Sequence, residues 1–305
     1  MTTPSNAVHT SFDPQSATAS VQTRPFYWSV RRELFEYRSI YLAPLAISAV
    51  VLLGFVVVLA RLPQTMQRAM AMEPMAQRHA LAYHYEIAAA LIMMAAFIVS
   101  IFYSLDSLYS ERRDRSILFW KSLPVSDLTT VLAKACIPLL VLQVISFVLT
   151  LVVETIMLLL STAVVAGSGF SVAEYWNHVA LYRTMWGLGY HLVTAHILWY
   201  APLYCWLFLV SAWSRRTPFL WAVLPPFAVV IFEKIAFHTS YFLNFLIYRF
   251  SGGTESTGSS GNMFDPDMHM TPGRFLITPG LWLGLLAAAV FLLAAARLRR
   301  QRSPL

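Results

Sequence analysis

Apolar residues in this chain fall in long unbroken runs, with polar residues gathered between them. Six runs are long enough to cross a bilayer core as helix, which takes about 20 residues: residues 40–60, 87–105, 128–165, 187–213, 219–237 and 276–298. The third is longer than one span needs, so its start is expected to project from the membrane. Proline interrupts several runs, at Pro44, Pro138, Pro202 and the pair Pro225–Pro226. Each removes a backbone donor and crowds the preceding turn, so the pair predicts a kinked or broken fifth helix. Plain packing is the other reading, since proline is fairly common in membrane helices. No internal repeat is visible. The expected fold is an all-α integral membrane protein with a single transmembrane domain over residues 26–305. Residues 1–25, rich in Ser, Thr, Ala and Pro, read as a disordered cytoplasmic tail and lack the apolar core of a cleavable signal.

Composition agrees with the pattern. The 305 residues are 58% hydrophobic and 12% charged, about half the charge usual in a soluble domain. A charge at the bilayer centre costs at least about 2.5–3.5 kcal/mol on insertion scales, so charge belongs in the loops and at the ends. The net charge of +7 could suggest nucleic acid, but its placement argues against that. With both termini in the cytoplasm, the inner segments hold fifteen Lys and Arg residues and the outer ones six. The excess of inner positive charge sets that orientation and places the basic residues against anionic lipid. Cys136 and Cys205 fall in or beside apolar runs and read as small hydrophobes.

Four segments between the runs carry information. Residues 26–39 place Phe26, Tyr27, Val30, Leu34 and Tyr37 at helical spacing, with Arg31, Arg32, Glu33, Glu36 and Arg38 largely opposite. Such a helix can lie in the membrane interface, or it can extend the first span as an anchor. The loop 106–134 has Glu111 and Arg115 at i,i+4, which supports a short helix. A charge cluster then gives way to Ile117, Leu118, Phe119 and Trp120. Pro124 should end that helix, and Ser126 or Asp127 can cap the next. On composition the loop reads either as a docking element for a cytosolic partner or as an aromatic anchor flanked by positive charge.

The outer segments 61–86 and 236–275 carry methionine and histidine: Met66, Met70, Met72, Met75, His79 and His84 in the first, and Met263, Met268, His269 and Met270 in the second. These ligand types suit soft copper, yet methionine also fills irregular surfaces, and no metal site is assigned. Residues 251–262 are rich in Gly, Ser and Thr, so mobility is expected there. Residues 238–250 are too short and polar to span, so a partial or re-entrant helix is expected.

Glu154, Glu233, Lys234, His191 and His196 lie at or near membrane depth, where an ionisable group is a functional candidate by default. Glu233 and Lys234 are adjacent, pointing about 100° apart on a helix, so each needs its own partner unless both lie at the headgroups. His191 and His196 are five apart, not the i,i+4 spacing of a zinc protease helix, and no HExxH occurs. GxSxG is also absent, as is the GxxxxGK[ST] phosphate loop. If ATP is used, another subunit must bind it.

The run Glu111-Arg112-Arg113-Asp114-Arg115-Ser116-Ile117-Leu118, continuing through Lys121-Ser122-Leu123-Pro124-Val125-Ser126, resembles the cytoplasmic loop of type-2 ATP-binding-cassette (ABC) permeases. There an "ER", a few residues, "LPVS" and a Lys leading into the third helix recur; Lys134 fits the last element. Ser116-Ile117-Leu118 followed by Phe119-Trp120 is a variant of the usual pattern. The resemblance implies that residues 26–38 form a connecting helix and residues 107–121 a coupling helix docked on an ATPase subunit. It implies docking contacts at Glu111, Arg112, Arg115, Leu118, Phe119 and Trp120, and an outer re-entrant element at residues 238–250. It further implies a bacterial inner-membrane exporter with two permeases, identical or paralogous, and two ATPases. This chain would be no enzyme, with ATP and Mg in the partner. A membrane enzyme using Glu154, Glu233, His191 or His196 is the competing reading, and a non-transporting anchor or sensor is a third.

Overall fold

The computed structural model describes residues 24–122, 125–179, 181–250 and 272–301. Among these every regular element is helical. The expectations for residues 1–23, for Leu123 and Pro124, for Met263, Met268, His269 and Met270, and for the stretch 251–262 fall outside the described residues.

Helix α1 (Pro25–Glu36) starts with proline at its first position, where the missing N–H costs nothing. A short break leads to α2 (Ser39–Leu59), and α3 (Leu62–Met70) turns back towards α4 (Pro74–Arg113). At about 1.5 Å per residue the 40-residue α4 is about 60 Å long, twice a bilayer core. After α5 (Ile117–Ser122), a second long rod is built from α6 (Asp127–Cys136), a π-helical stretch (Ile137–Val141) and α7 (Leu142–Gly167). Ser126 caps α6, its hydroxyl accepting the Thr129 N–H at 3.0 Å. The π stretch begins beside Pro138. The Pro138 carbonyl accepts from the Gln143 side-chain amide at 3.0 Å.

Then follow α8 (Val172–Val179), α9 (Leu181–His191), a π-helical stretch (Leu192–Trp199) and α10 (Ala201–Trp213). The chain bends by 41° at Tyr200, just before Pro202. The remaining helices are α11 (Pro218–Phe237), α12 (Tyr241–Phe250), α13 (Pro272–Ile277) and α14 (Pro279–Gln301).

Among the described residues five helical segments are long and apolar enough to cross a membrane, or six if the bent pair counts as one span. The molecule is thus compatible with a multi-pass membrane protein. The boundaries differ from the sequence reading mainly at the second span, expected at residues 87–105. The apolar helix there runs over Ala76–Arg113 and absorbs polar flanks at both ends. Helix α4 is the central post, packed on α2, α7 and α10, while α10 packs on α14. Helix α4 buries Ser100, Ser104 and Ser107 fully, and the Ser211 hydroxyl of α10 accepts from the α4 N–H groups of Leu108 and Tyr109 at 3.2 and 3.0 Å. Small side chains such as serine permit close approach of two helix backbones.

Of the two outcomes expected at Pro225–Pro226, a break is not found: α11 is continuous from Pro218 to Phe237. Proline at 226 cannot donate to the Ala222 carbonyl four residues earlier. The Trp206 indole N–H of α10 donates to that carbonyl instead, at 3.2 Å. The neighbouring helix thus supplies the donor the proline lacks.

Candidate functional site

At one end of the bundle, four helices meet in a buried knot of charge. Lys134 of α6 donates to both carboxylate oxygens of Glu33 at 2.9 Å and lies 3.2 Å from Glu111 of α4. Arg299 of α14 reaches the other Glu111 oxygen at 3.0 Å and bonds Asp127 at the start of α6. Arg32 of α1 pairs with Glu33 and lies 3.3 Å from Glu111. Tyr103 of α4 donates to Glu33 at 2.8 Å. Three carboxylates therefore face three cations. Glu33, Glu111, Lys134 and Arg299 are all nearly inaccessible to solvent.

Burial would raise the Glu33 carboxyl, but Lys134 and Arg32 outweigh it and hold Glu33 below the ordinary carboxylate value. The Tyr37 hydroxyl, between α1 and α2, bonds Ser110 at 2.8 Å and Asp106 at 3.3 Å. Burial pushes that phenol well above its ordinary value, so it stays neutral. Breaking a buried ion pair leaves an uncompensated charge, which costs more than the intact pair gains. The knot therefore fixes the relative positions of α1, α4, α6 and α14.

The loop beyond α4 rests on this knot. Helix α4 ends at Arg113, Arg115 adopts a left-handed backbone with φ of 60°, and α5 begins at Ile117. The expected Glu111–Arg115 helical pair does not form: Glu111 turns inward to Lys134 and Arg299, while Arg115 is exposed. Arg112 is also buried, donating to the carbonyls of Ser211 and Ser214 at 2.6 and 2.7 Å. Glu111 and Arg112 therefore present no surface for a docking contact. On α5, Ile117 is buried, whereas Leu118 and Phe119 are 59% and 61% exposed. The Trp120 ring lies under the Arg32 guanidinium, 3.9 Å from it. The loop thus offers a two-residue apolar knob on a fixed base.

Helix α1 corrects the expected division of faces. Glu33, grouped by spacing with the outward charges, is the most deeply buried residue of α1, and Val30 and Leu34 pack beside it on the bundle. Phe26, Tyr27, Trp28 and Phe35 are the exposed apolar residues. Arg31 is exposed and lies over Trp28 and Phe35. Glu36, half in solvent, lies 3.8 Å from Arg32.

The polar residues of the spans do not gather at one place. Glu233, near the end of α11, caps α12: it accepts from the Thr239 hydroxyl at 2.7 Å and from the N–H groups of Tyr241 and Phe242 at 2.6 and 2.8 Å. Lys234 is exposed and reaches Ser240. His191 and His196 lie edge to face, 5.4 Å apart, where α9 gives way to its π stretch. Glu154 is buried on α7, in line with Gln143, Ser146, Thr150 and Ser161, which are also fully buried. Glu154 lies on α7, Glu233 on α11, and the two histidines where α9 meets its π stretch. Among the described residues no group of three or more His, Cys, Asp or Glu residues is arranged to hold a metal ion.

Arg299 and Tyr103 were not singled out by the sequence. Arg299 belongs to a basic run at the end of the last apolar segment, where every arginine has the same local signal. Comparison with protein-family models, characterised proteins and solved structures yields no match.

Proposed function

We propose that this chain is the membrane-spanning permease subunit of an ATP-driven ABC exporter in a bacterial inner membrane. Its termini and the loop 106–134 face the cytoplasm, where the loop docks a separate ATPase subunit. The observation that carries the reading is α5, with Leu118 and Phe119 exposed, Ile117 buried and Trp120 held under Arg32. An exposed apolar pair on an otherwise charged surface suits a partner's apolar cleft. A body seated on that knob pushes on the end of α4. The knot of Glu33, Glu111, Lys134 and Arg299 ties α4 to α1, α6 and α14, so the push moves several spans together. The partner supplies ATP and Mg, and its closure biases the spans between two packings. A second permease copy or paralogue completes the pathway, with membrane lipid around it.

Purification in mild detergent from the native host should recover a phosphate-loop ATPase whose turnover the permease stimulates. The double variant L118D/F119D should abolish the stimulation while membrane insertion stays intact. Reproducible absence of an ATPase, or stimulation that survives the double variant, would overturn the reading. A non-transporting anchor would retain the partner without any stimulated turnover.

A further inference from the structure

A cavity of about 320 Å³ opens where α10 ends and α11 begins, lined by Trp213, Ser214, Arg215 and Trp221. We propose that it binds the phosphate of an anionic phospholipid headgroup. The inference rests on the chain spanning a membrane, not on the transporter reading.

Three features converge there. Ser214 is 2% exposed, and its backbone is fully engaged: its N–H donates to the Val210 carbonyl at 2.8 Å, and its carbonyl accepts from Arg112 at 2.7 Å. The hydroxyl has no hydrogen-bond partner. A buried hydroxyl left unsatisfied costs about 1–3 kcal/mol, so a cavity beside it calls for an acceptor. Arg215 is exposed, and among the described residues no carboxylate pairs with it. No side chain caps the N-terminus of the 20-residue α11, whose first residue is proline. That end carries the positive pole of the helix dipole and attracts anions.

The walls distinguish a lipid from a soluble anion. Trp213 and Trp221 meet edge to face at 4.9 Å and are each 41% exposed. Indoles with an apolar body and one N–H favour the headgroup boundary. Phe219 and Leu220 beside them are exposed and offer a surface for acyl chains. Ser214 and Arg215 thus line a cavity that the first turn of α11 borders through Trp221, with apolar groups where the chains of a lipid would lie.

The test uses the full chain purified in an uncharged detergent. Native mass spectrometry and thermal unfolding would follow titration with phosphatidylglycerol, phosphatidylcholine or inorganic phosphate. Phosphatidylglycerol should be retained and should raise the unfolding midpoint, with phosphatidylcholine and inorganic phosphate much weaker. Because hydrogen bonds to charged groups are strong, R215Q should weaken phosphatidylglycerol retention about tenfold, and S214A should weaken it less. R216Q, changing the adjacent exposed arginine outside the cavity lining, should leave retention unchanged. R215Q alters an exposed side chain, and an unchanged size-exclusion profile checks that the variant is folded. Equal retention of the two lipids overturns the proposal, as does equal loss in R215Q and R216Q. An equal shift with inorganic phosphate overturns the lipid assignment.

Discussion

Lys134 holds both oxygens of Glu33 at 2.9 Å across 101 residues of chain, with both side chains out of solvent. Each charge is tolerable out of water because opposite charge meets it there. E33Q or K134M alone should therefore destabilise the protein by about 3–5 kcal/mol. The double variant E33L/K134M removes both and should cost clearly less than the two singles summed. Reversible unfolding in mixed micelles measures all four proteins. Additive losses would mean that the pair contributes no coupling.

Glu33 also gives stability a defined pH dependence. Its folded carboxyl lies below the ordinary value of 4.5, so on acidification the unfolded chain takes up its proton first. The stability due to ionised Glu33 is complete above the ordinary value and is lost as pH falls through the folded value. Glu36 acts in the opposite sense: burial, together with nearby Glu33, raises its carboxyl, so its ionisation costs stability as pH rises. Unfolding midpoints taken through the acid range should fall steeply for the wild type, less for E33Q and more for E36Q. An acid limb of the same slope in E33Q would assign the loss to other carboxylates.

Adjacent aromatic residues on α5 should behave differently. Trp120 lies under Arg32 at 3.9 Å, a contact worth about 0.5–2 kcal/mol. Phe119 is 61% exposed, and substitutions at such positions usually change stability by less than about 0.5 kcal/mol. W120A should lower stability measurably, and F119A should not. If the loop docks a partner, F119A should instead weaken that interaction. Unfolding and co-purification assays on the same pair of variants separate the two roles.

The spans were legible because their signal is local: about 20 consecutive apolar residues are enough to declare one. A cap for α6 at Ser126 or Asp127 was legible for the same reason, and Ser126 supplies it. The knot was not, because its partners lie far apart in sequence; Arg299 and Glu111 are separated by 188 residues. Spacing placed Glu33 with the outward charges of α1, since helical periodicity cannot tell that a cation on α6 waits on the inner side. The continuity of α11 was hidden in the same way, because the donor replacing the one lost at Pro226 comes from Trp206 on another helix.

The packing of Arg249 beside the bend before α10 depends on one glycine. Arg249 of α12 lies over Trp199 at 4.4 Å and donates to the Gly280 carbonyl at 3.1 Å, while the Trp199 indole donates to the Arg249 carbonyl at 2.8 Å. A Cβ on Gly284 would overlap the Arg249 guanidinium. G284A should therefore expel the arginine and forfeit its hydrogen bond and ring contact, about 1–3 kcal/mol. In an R249A background the overlap disappears, and alanine is then favoured over glycine in a helix by up to about 1 kcal/mol. The same substitution should destabilise the wild type and be neutral or stabilising in R249A. Unfolding of the four proteins in this cycle reads that reversal directly. A loss of equal size in both backgrounds would mean that Arg249 does not occupy the space left by Gly284.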